Sequence, residues 1–257
     1  MPKKTTRMRE IVTLLHRNGE ISVKALSRHL LASPATVRRY LDDLEEEGIL
    51  RRTHGGAILQ DHYEIDDKNH YLIGKETEKN VRQKSGIGLK AASLVQPGET
   101  VAFDIGSTTH FITKYIGRDI PLSALCVTFA CARELYYRQN VNLILTGGHL
   151  HRDSDVITSD EGIDIIRKIR TDKVFLSAGG IDEKLGLTCY HDFHVVIKRA
   201  LMESSKKIIL VADSSKFGNV TPSYYADLKE IHALITDGGI PETYRRALAD
   251  FGVELLI

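Results

Sequence analysis

The chain has 257 residues, 35 Lys and Arg against 34 Asp and Glu, and a net charge of +1. That length suits about two ordinary domains, each able to bury a hydrophobic core. Three cysteines (Cys126, Cys131, Cys189), odd in number and far from CxxC spacing, exclude a disulfide framework and a structural zinc site, so no metal is expected. No run of about 18 apolar residues occurs, and the start MPKKTTRMRE lacks the apolar core of a signal peptide, so a cytoplasmic protein without a membrane partner is expected.

The charge is unevenly divided. Residues 1–56 hold eleven Lys and Arg against seven acids, a balance of +4, which leaves −3 for residues 57–257. A concentrated positive end suits a phosphate backbone, because each neutralised phosphate releases condensed counterions. Solvated helix faces also carry such charge, so the pattern around it must decide.

In chain order, residues 5–17 place Met8, Ile11, Val12 and Leu15 at helical spacing, and Asn18-Gly19 stops the helix. A second helix over 22–30 starts at a capping Ser22 and buries Leu26 and Leu30. A third opens at Ser33 with Pro34 in the first helical position, where a missing N–H costs nothing. Only about three residues join the two, which forces a steep crossing and predicts a helix-turn-helix. In the third helix Ala35, Thr36, Arg38 and Arg39 come first and are expected to meet DNA with Ser33 and Pro34; Val37, Leu41 and Leu44 face inward. The acids Asp42, Asp43, Glu45, Glu46 and Glu47 follow and point away from DNA, and Gly48 ends the helix. ILRRTHGGAIL then reads as a hairpin turning at Gly55-Gly56, a wing with Arg51, Arg52 and His54 near its tip. The alternative is a three-helix packing module with scattered surface arginines.

Residues 59–75 are polar and aperiodic and serve as the linker between domains 1–58 and 76–257; His62 and His70 within it match no metal spacing. A long helix is expected from Glu76 to Val95, weakened at Gly86 and Gly88. Short β-branched runs at 100–109, 122–128, 141–150, 173–182, 207–218 and 232–239 then alternate with helical stretches such as 160–169 and 192–204. That grammar predicts an α/β domain with a mainly parallel sheet, whose ligands bind at the carboxyl ends of the strands. The most informative turn runs from Asp104 to Thr109: Gly106 lets a ligand approach, and Ser107, Thr108 and Thr109 offer hydroxyls and amides as a helix begins, an anion cradle. It is neither GxGxxG nor a P-loop, which disfavours a dinucleotide or ATP, so no cofactor is expected. Thr128, Gly147, Gly148, Gly179, Gly180 and Asp213 are expected along the same rim, with Lys198 and Lys216 as the cations; His149 and His151 flank the Gly-Gly turn.

The stretch ISVKALSRHLLASPATVRRYLDDLEEEGILRRTHGG resembles the winged helix-turn-helix of the DeoR family, whose signature runs Ser-x-x-Thr-Ile/Val-Arg-Arg-Asp-Leu and ends in a Gly-Gly wing; Tyr40 stands where the family has Asp. The resemblance implies DNA contact by Arg38 and Arg39. Asp104 to Thr109, Gly147-Gly148, SAGGID, Lys198 and ADSSKFG extend it to the family's C-terminal sensor, so it covers nearly the whole chain. It implies a fold like the ribose-phosphate isomerase and CoA-transferase group and a phosphorylated sugar as effector. DKNHYL, GGHLHRDSDVI and GLTCYHDFHVVIKRA are similar to the family's deoxyribonucleoside-operon regulators, which implies deoxyribose 5-phosphate.

The expectation is therefore a repressor of a sugar or nucleoside catabolic operon, a homo-oligomer that binds double-stranded operator DNA and is released by its effector. The alternative is a working sugar-phosphate isomerase with a DNA-binding appendage. Asp104, Asp182 and Asp213 could supply a carboxylate base. Ser177-Ala178-Gly179-Gly180, however, carries no acid where an isomerase of the resembling fold has its aspartates, so no enzyme activity is expected.

Overall fold

The computed structural model describes residues 7, 8, 10, 11, 14, 15, 19–46, 50–59 and 72–257. Val12, Asn18, Glu47, Gly48, His62, His70 and most of the expected linker lie outside them. The chain divides into two compact units, Met1–Asp67 and Lys68–Ile257.

In the first unit Arg7, Met8, Glu10, Ile11, Leu14 and Leu15 are helical, and Ile11 and Leu15 are fully buried. Helix α1 (Val23–Leu30) is capped by Ser22, whose Oγ accepts the Ala25 N–H at 3.2 Å. Helix α2 (Pro34–Glu46) begins after Ser33, whose Oγ accepts the Thr36 N–H at 3.2 Å. Between them Leu31 takes a left-handed conformation (φ 49°) that turns the chain sharply. Leu26 and Leu30 of α1 meet Val37, Leu41 and Leu44 of α2 in one small core with Leu50 and Ala57. The wing pairs β2 (Leu50–Thr53) with β3 (Gly56–Leu59), turning at His54-Gly55 rather than at Gly55-Gly56. The displaced register has a cause that the hairpin pattern lacked. A further strand β1 (Glu20–Ser22) pairs with β3, so Gly56 is ladder, and a Cβ there would lie 2.2 Å from the Ile21 carbonyl oxygen.

The strands of the second unit are β4 (Thr100–Phe103), β5 (Leu122–Cys126), β6 (Val141–Leu145), β7 (His149–His151), β8 (Val156–Thr158), β9 (Thr171–Leu176), β10 (Gly180–Asp182), β11 (Gly186–Cys189), β12 (Ser205–Val211), β13 (Ser223–Ala226), β14 (Ala233–Ile235) and β15 (Glu254–Leu256). Seven of them form one sheet in the order β15-β14-β12-β9-β4-β5-β6, and every neighbouring pair in it is parallel. Successive residues face opposite sides. Ala102, Leu125, Val174 and Leu210 enter one core, with Ile197 and Leu201 of a covering helix; Val101, Phe103, Phe175 and Ile209 enter the other, with Ile87 and Ile112. Both faces are thus covered, as β-branched runs joined by helices require. From β4 the chain winds outward through β5 and β6, and from β9 it winds the other way through β12, β14 and β15. The sheet therefore reverses between β4 and β9.

The expected long helix from Glu76 is two helices, α3 (Ile73–Glu78) and α4 (Val81–Ala92). They part at Lys79, which is extended, and Asn80, which is left-handed (φ 51°), a conformation that Asn tolerates. Tertiary bonds hold the break open: Asn80 Nδ2 donates to Asp213 Oδ1 at 2.9 Å and to Ser215 Oγ at 3.1 Å. Gly88 does not weaken α4 so much as let it approach α5 (Ser107–Tyr115), since a Cβ would sit 2.7 Å from Phe111 Cβ and 2.9 Å from its carbonyl carbon. Gly88→Ala is expected to cost about 2 kcal/mol through overpacking, lowering the thermal midpoint of this unit by roughly 4–8 °C. Calorimetry checks this, and an unchanged midpoint would mean the two helices separate freely.

Candidate effector recess and nucleic-acid surface

The exposed face of α2 carries Pro34, Ala35, Arg38 and Arg39, with Ser33 exposed at its cap and Thr36 half-buried. The Arg39 guanidinium lies 5.9 Å from the centroid of the Tyr40 ring, and Tyr40 packs partly against the unit's core. Arg51 and His54 are exposed on the wing. Arg52 is not available in the same way: its guanidinium pairs with Asp42, and its backbone N–H donates to Glu45 Oε1 at 2.7 Å. Two of the acids expected merely to avoid DNA therefore fasten the wing to α2. Lys24 and Arg28, to which the sequence analysis assigned no role, line an open groove with Pro34, Arg38 and Gly55. Their spacing of four on α1 puts them on one helical face and was the available signal.

In the second unit a narrow recess, open to solvent, lies at the carboxyl ends of β4 and β9. This is the reversal point of the sheet, where diverging loops leave a crevice. Gly106, Ser107 and Thr108 form one side. Gly106 has φ 148°, and a Cβ there would lie 2.6 Å from Ser177 Oγ, so the loop needs glycine. No side chain caps this end of α5, which leaves first-turn amides and the positive end of the helix dipole to an anion. Ser177, Ala178 and Gly179 form the opposite side, and Cys189, Tyr190 and His194 close it. Lys216 and Glu76 complete the lining, their side chains 16% and 13% exposed, with Nζ 3.2 Å from Oε2.

Beneath the recess Asp104 and Lys198 form an ion pair, both 2% exposed or less. Asp104 Oδ2 also accepts the Ser177 N–H at 2.9 Å, while Lys198 Nζ donates to the Ser177 carbonyl at 2.8 Å and lies 4.9 Å from the Tyr225 ring centroid. The Tyr225 hydroxyl donates to that same carbonyl at 2.8 Å. Lys198 lines the recess but is already committed. Burial, together with the Lys198, His191 and His151 charges, pushes His194 down to about 2, so its imidazole is neutral at physiological pH. Burial pushes the Cys189 thiol up to about 11, which makes it a protonated wall rather than a nucleophile.

Other expected rim residues serve the framework. Thr109 Oγ1 donates to the Asp104 and Gly106 carbonyls, 2.8 Å from each, and shapes the loop from below. Asp213 accepts from Asn80 Nδ2 and, at 3.1 Å, from the Ser215 N–H. Thr128, Gly147 and Gly148 do not line the recess. Thr128 bridges to Val156, and a Cβ on Gly148 would meet the Thr158 carbonyl oxygen at 2.2 Å. Gly180 likewise admits the Asn219 carbonyl, 2.3 Å from a would-be Cβ. These glycines permit close backbone contact. His151 stacks on Phe193 with centroids 4.6 Å apart, and its Nε2 lies 2.7 Å from Thr158 Oγ1. Among the described residues no group of three or more His, Cys, Asp or Glu could hold a metal, and no helix is long and apolar enough to cross a membrane.

Sequence reasoning missed the recess's neighbours on α3 and α4. Glu76 is gripped by Lys79 at 2.9 Å as well as by Lys216. Burial alone would raise its carboxyl, but Lys216 and Lys79 together hold it below the ordinary range. Lys84 is 1% exposed and donates to the Glu76 carbonyl; burial lowers its ammonium despite the opposing charges of Asp213 and Glu76. The only signal was composition, four cations and two acids within 75–84.

Residues 7–62 match the family described as the DeoR-like helix-turn-helix domain, and residues 79–238 match the DeoR C terminal sensor domain. The glycerol-3-phosphate regulon repressor of Escherichia coli strain K12 is 30% identical over 98% of this chain and 98% of its own. The deoxyribose operon repressor of the same strain is 28% identical over 91% of each chain. A solved ribose 5-phosphate isomerase A from Methanocaldococcus jannaschii matches 54% of this chain and 55% of its own, at 15% identity and a TM-score of 0.40, too distant to carry activity across. With both of its units matched, this chain belongs to the DeoR family of transcriptional regulators.

Proposed function

We propose that this protein represses a sugar or nucleoside catabolic operon and is released from its operator by a phosphorylated sugar held in the recess. The observation that carries the reading is the convergence of an uncapped helix terminus, Gly106 to Thr108, with the Lys216 ammonium at the sheet's reversal point. Backbone amides and one cation suit a phosphate. The sugar then faces Tyr190 and the neutral His194. Deoxyribose 5-phosphate is the effector we favour. Lys198 and Asp104 support the site from below, Gly179 borders the phosphate, and Thr109 and Asp213 hold the two loops. The protein works in the cytoplasm as a homo-oligomer whose paired heads read half-sites about one helical turn, or a multiple of it, apart. It acts without turning its effector over, for Asp104 is bound to Lys198 and Ser177 instead of standing free as a base.

A thermal-shift screen of phosphorylated sugars, followed by footprinting with the best hit, tests this directly; steady conversion of a pentose phosphate would refute it. Replacing both Arg38 and Arg39 with Ala is expected to abolish the footprint while circular dichroism stays unchanged. Residual binding should show a log–log salt slope shallower by about 1.8, two phosphate contacts at roughly 0.9 each. A footprint retained at full strength would remove α2 from the DNA surface. Ser107→Glu places a carboxylate at the helix terminus, so it should bind operator normally and ignore the effector. Normal induction by that variant would dismiss the phosphate cradle.

A further inference from the structure

Glu76 sits where an incoming anion would have to go. Its carboxylate lines the recess and occupies Lys216, the one lysine of the lining not tied to the buried pair. It is itself a small anion, held between Lys216 and Lys79 with little exposure. We propose that Glu76 is a built-in occupant of the anion site, and that a phosphorylated effector binds by displacing it from Lys216. This rests on the effector-site reading above and adds how that site is regulated.

Charge favours the exchange. A phosphate monoester brings close to two negative charges and three acceptor oxygens, and it can use Lys216 and the α5 amides together. A carboxylate brings one charge. Geometry gives the exchange a consequence. Glu76 belongs to α3, the first described element after the segment that joins the two units. That short helix is fastened at its start by the Ile73 N–H on the Asp153 carbonyl at 2.8 Å, and near its end by the Glu76 side chain and by Lys84 on the Glu76 carbonyl. Losing the side-chain pair loosens α3 at the very place where the chain leaves for the DNA-binding unit. The effector is thereby read as an ordering change at the linker's end, driven by its differential affinity for the two states of Glu76.

The occupant reduces apparent affinity by the fraction of time it holds the site. Full-length protein is titrated calorimetrically with inorganic phosphate and with deoxyribose 5-phosphate, and hydrogen exchange is followed over residues 72–80. Glu76→Gln is expected to bind both ligands about three- to tenfold more tightly. Glu76→Asp, which keeps the charge on a shorter arm, should shift the same way by less, guarding against a folding artefact. Lys216→Met should bind neither. In the unaltered protein, ligand should raise exchange over 72–80, and in Glu76→Gln exchange should be high already. Binding that is equal or weaker in both Glu76 variants, or exchange over 72–80 that falls or stays constant on saturation, overturns the displacement alone. Failure of every protein to bind either ligand overturns the effector site itself, and the displacement with it.

Discussion

The second unit is organised around one buried ion pair. Lys198 reaches down from its helix to Asp104, at the end of β4, and to the carbonyl of Ser177, just past β9. A charge removed from water to this degree is costly unless it is paired and hydrogen-bonded, and a lone partner left behind costs more than the pair returns. Asp104 meets the condition through Lys198 and the Ser177 N–H, and Lys198 through Asp104, Ser177 and the face of Tyr225. The pair therefore specifies position. It joins the two strands between which the sheet reverses, and it ties the loops that follow them together beneath the recess. Gly106 can then adopt its unusual backbone against Ser177, and α5 can open toward the crevice without a cap.

The first unit solves a different problem with charge. It must present cations to a polyanion without scattering them, and the acids of α2 contribute by taking Arg52 out of the exposed set and tying the wing down. Arg38, Arg39, Arg51 and His54 remain on the surface, and Lys24 and Arg28 add a second row from α1. The core beneath is small, so the caps at Ser22 and Ser33 matter to α1 and α2, each worth about 1 kcal/mol.

Around the recess, ionisable groups divide by what surrounds them. Burial keeps both His194 and Cys189 uncharged; the neighbouring Lys198 adds to that effect for His194 and opposes it for Cys189. Glu76 keeps its charge because Lys216 and Lys79 outweigh its burial. The result is a wall neutral at His194 and Cys189 and charged at Lys216 and Glu76. Cys126 and Cys131, buried in the sheet's other core, take no part.

Much of this was legible without coordinates. The spacing of Leu26, Leu30, Val37, Leu41 and Leu44, with Ser22, Ser33 and Pro34 at the helix starts, determined the helix-turn-helix, because caps and 3.6-residue periodicity are properties of neighbouring residues. The β-branched runs and the turn at Gly106 determined a parallel sheet with an anion-ready helix terminus for the same reason. What tertiary structure decided are the partnerships between distant residues: Asp104 with Lys198 across 94 positions, Asn80 with Asp213 across 133, and Glu76 with Lys216 across 140. No local pattern encodes those. Contacts beyond the immediate neighbours also broke a long helix in two at Asn80, set Gly148 and Gly180 against other backbone, paired Arg52 with Asp42, and placed Glu76 on Lys216. Each outcome follows from which groups the closed chain brings within reach, and that is settled only when each unit folds shut.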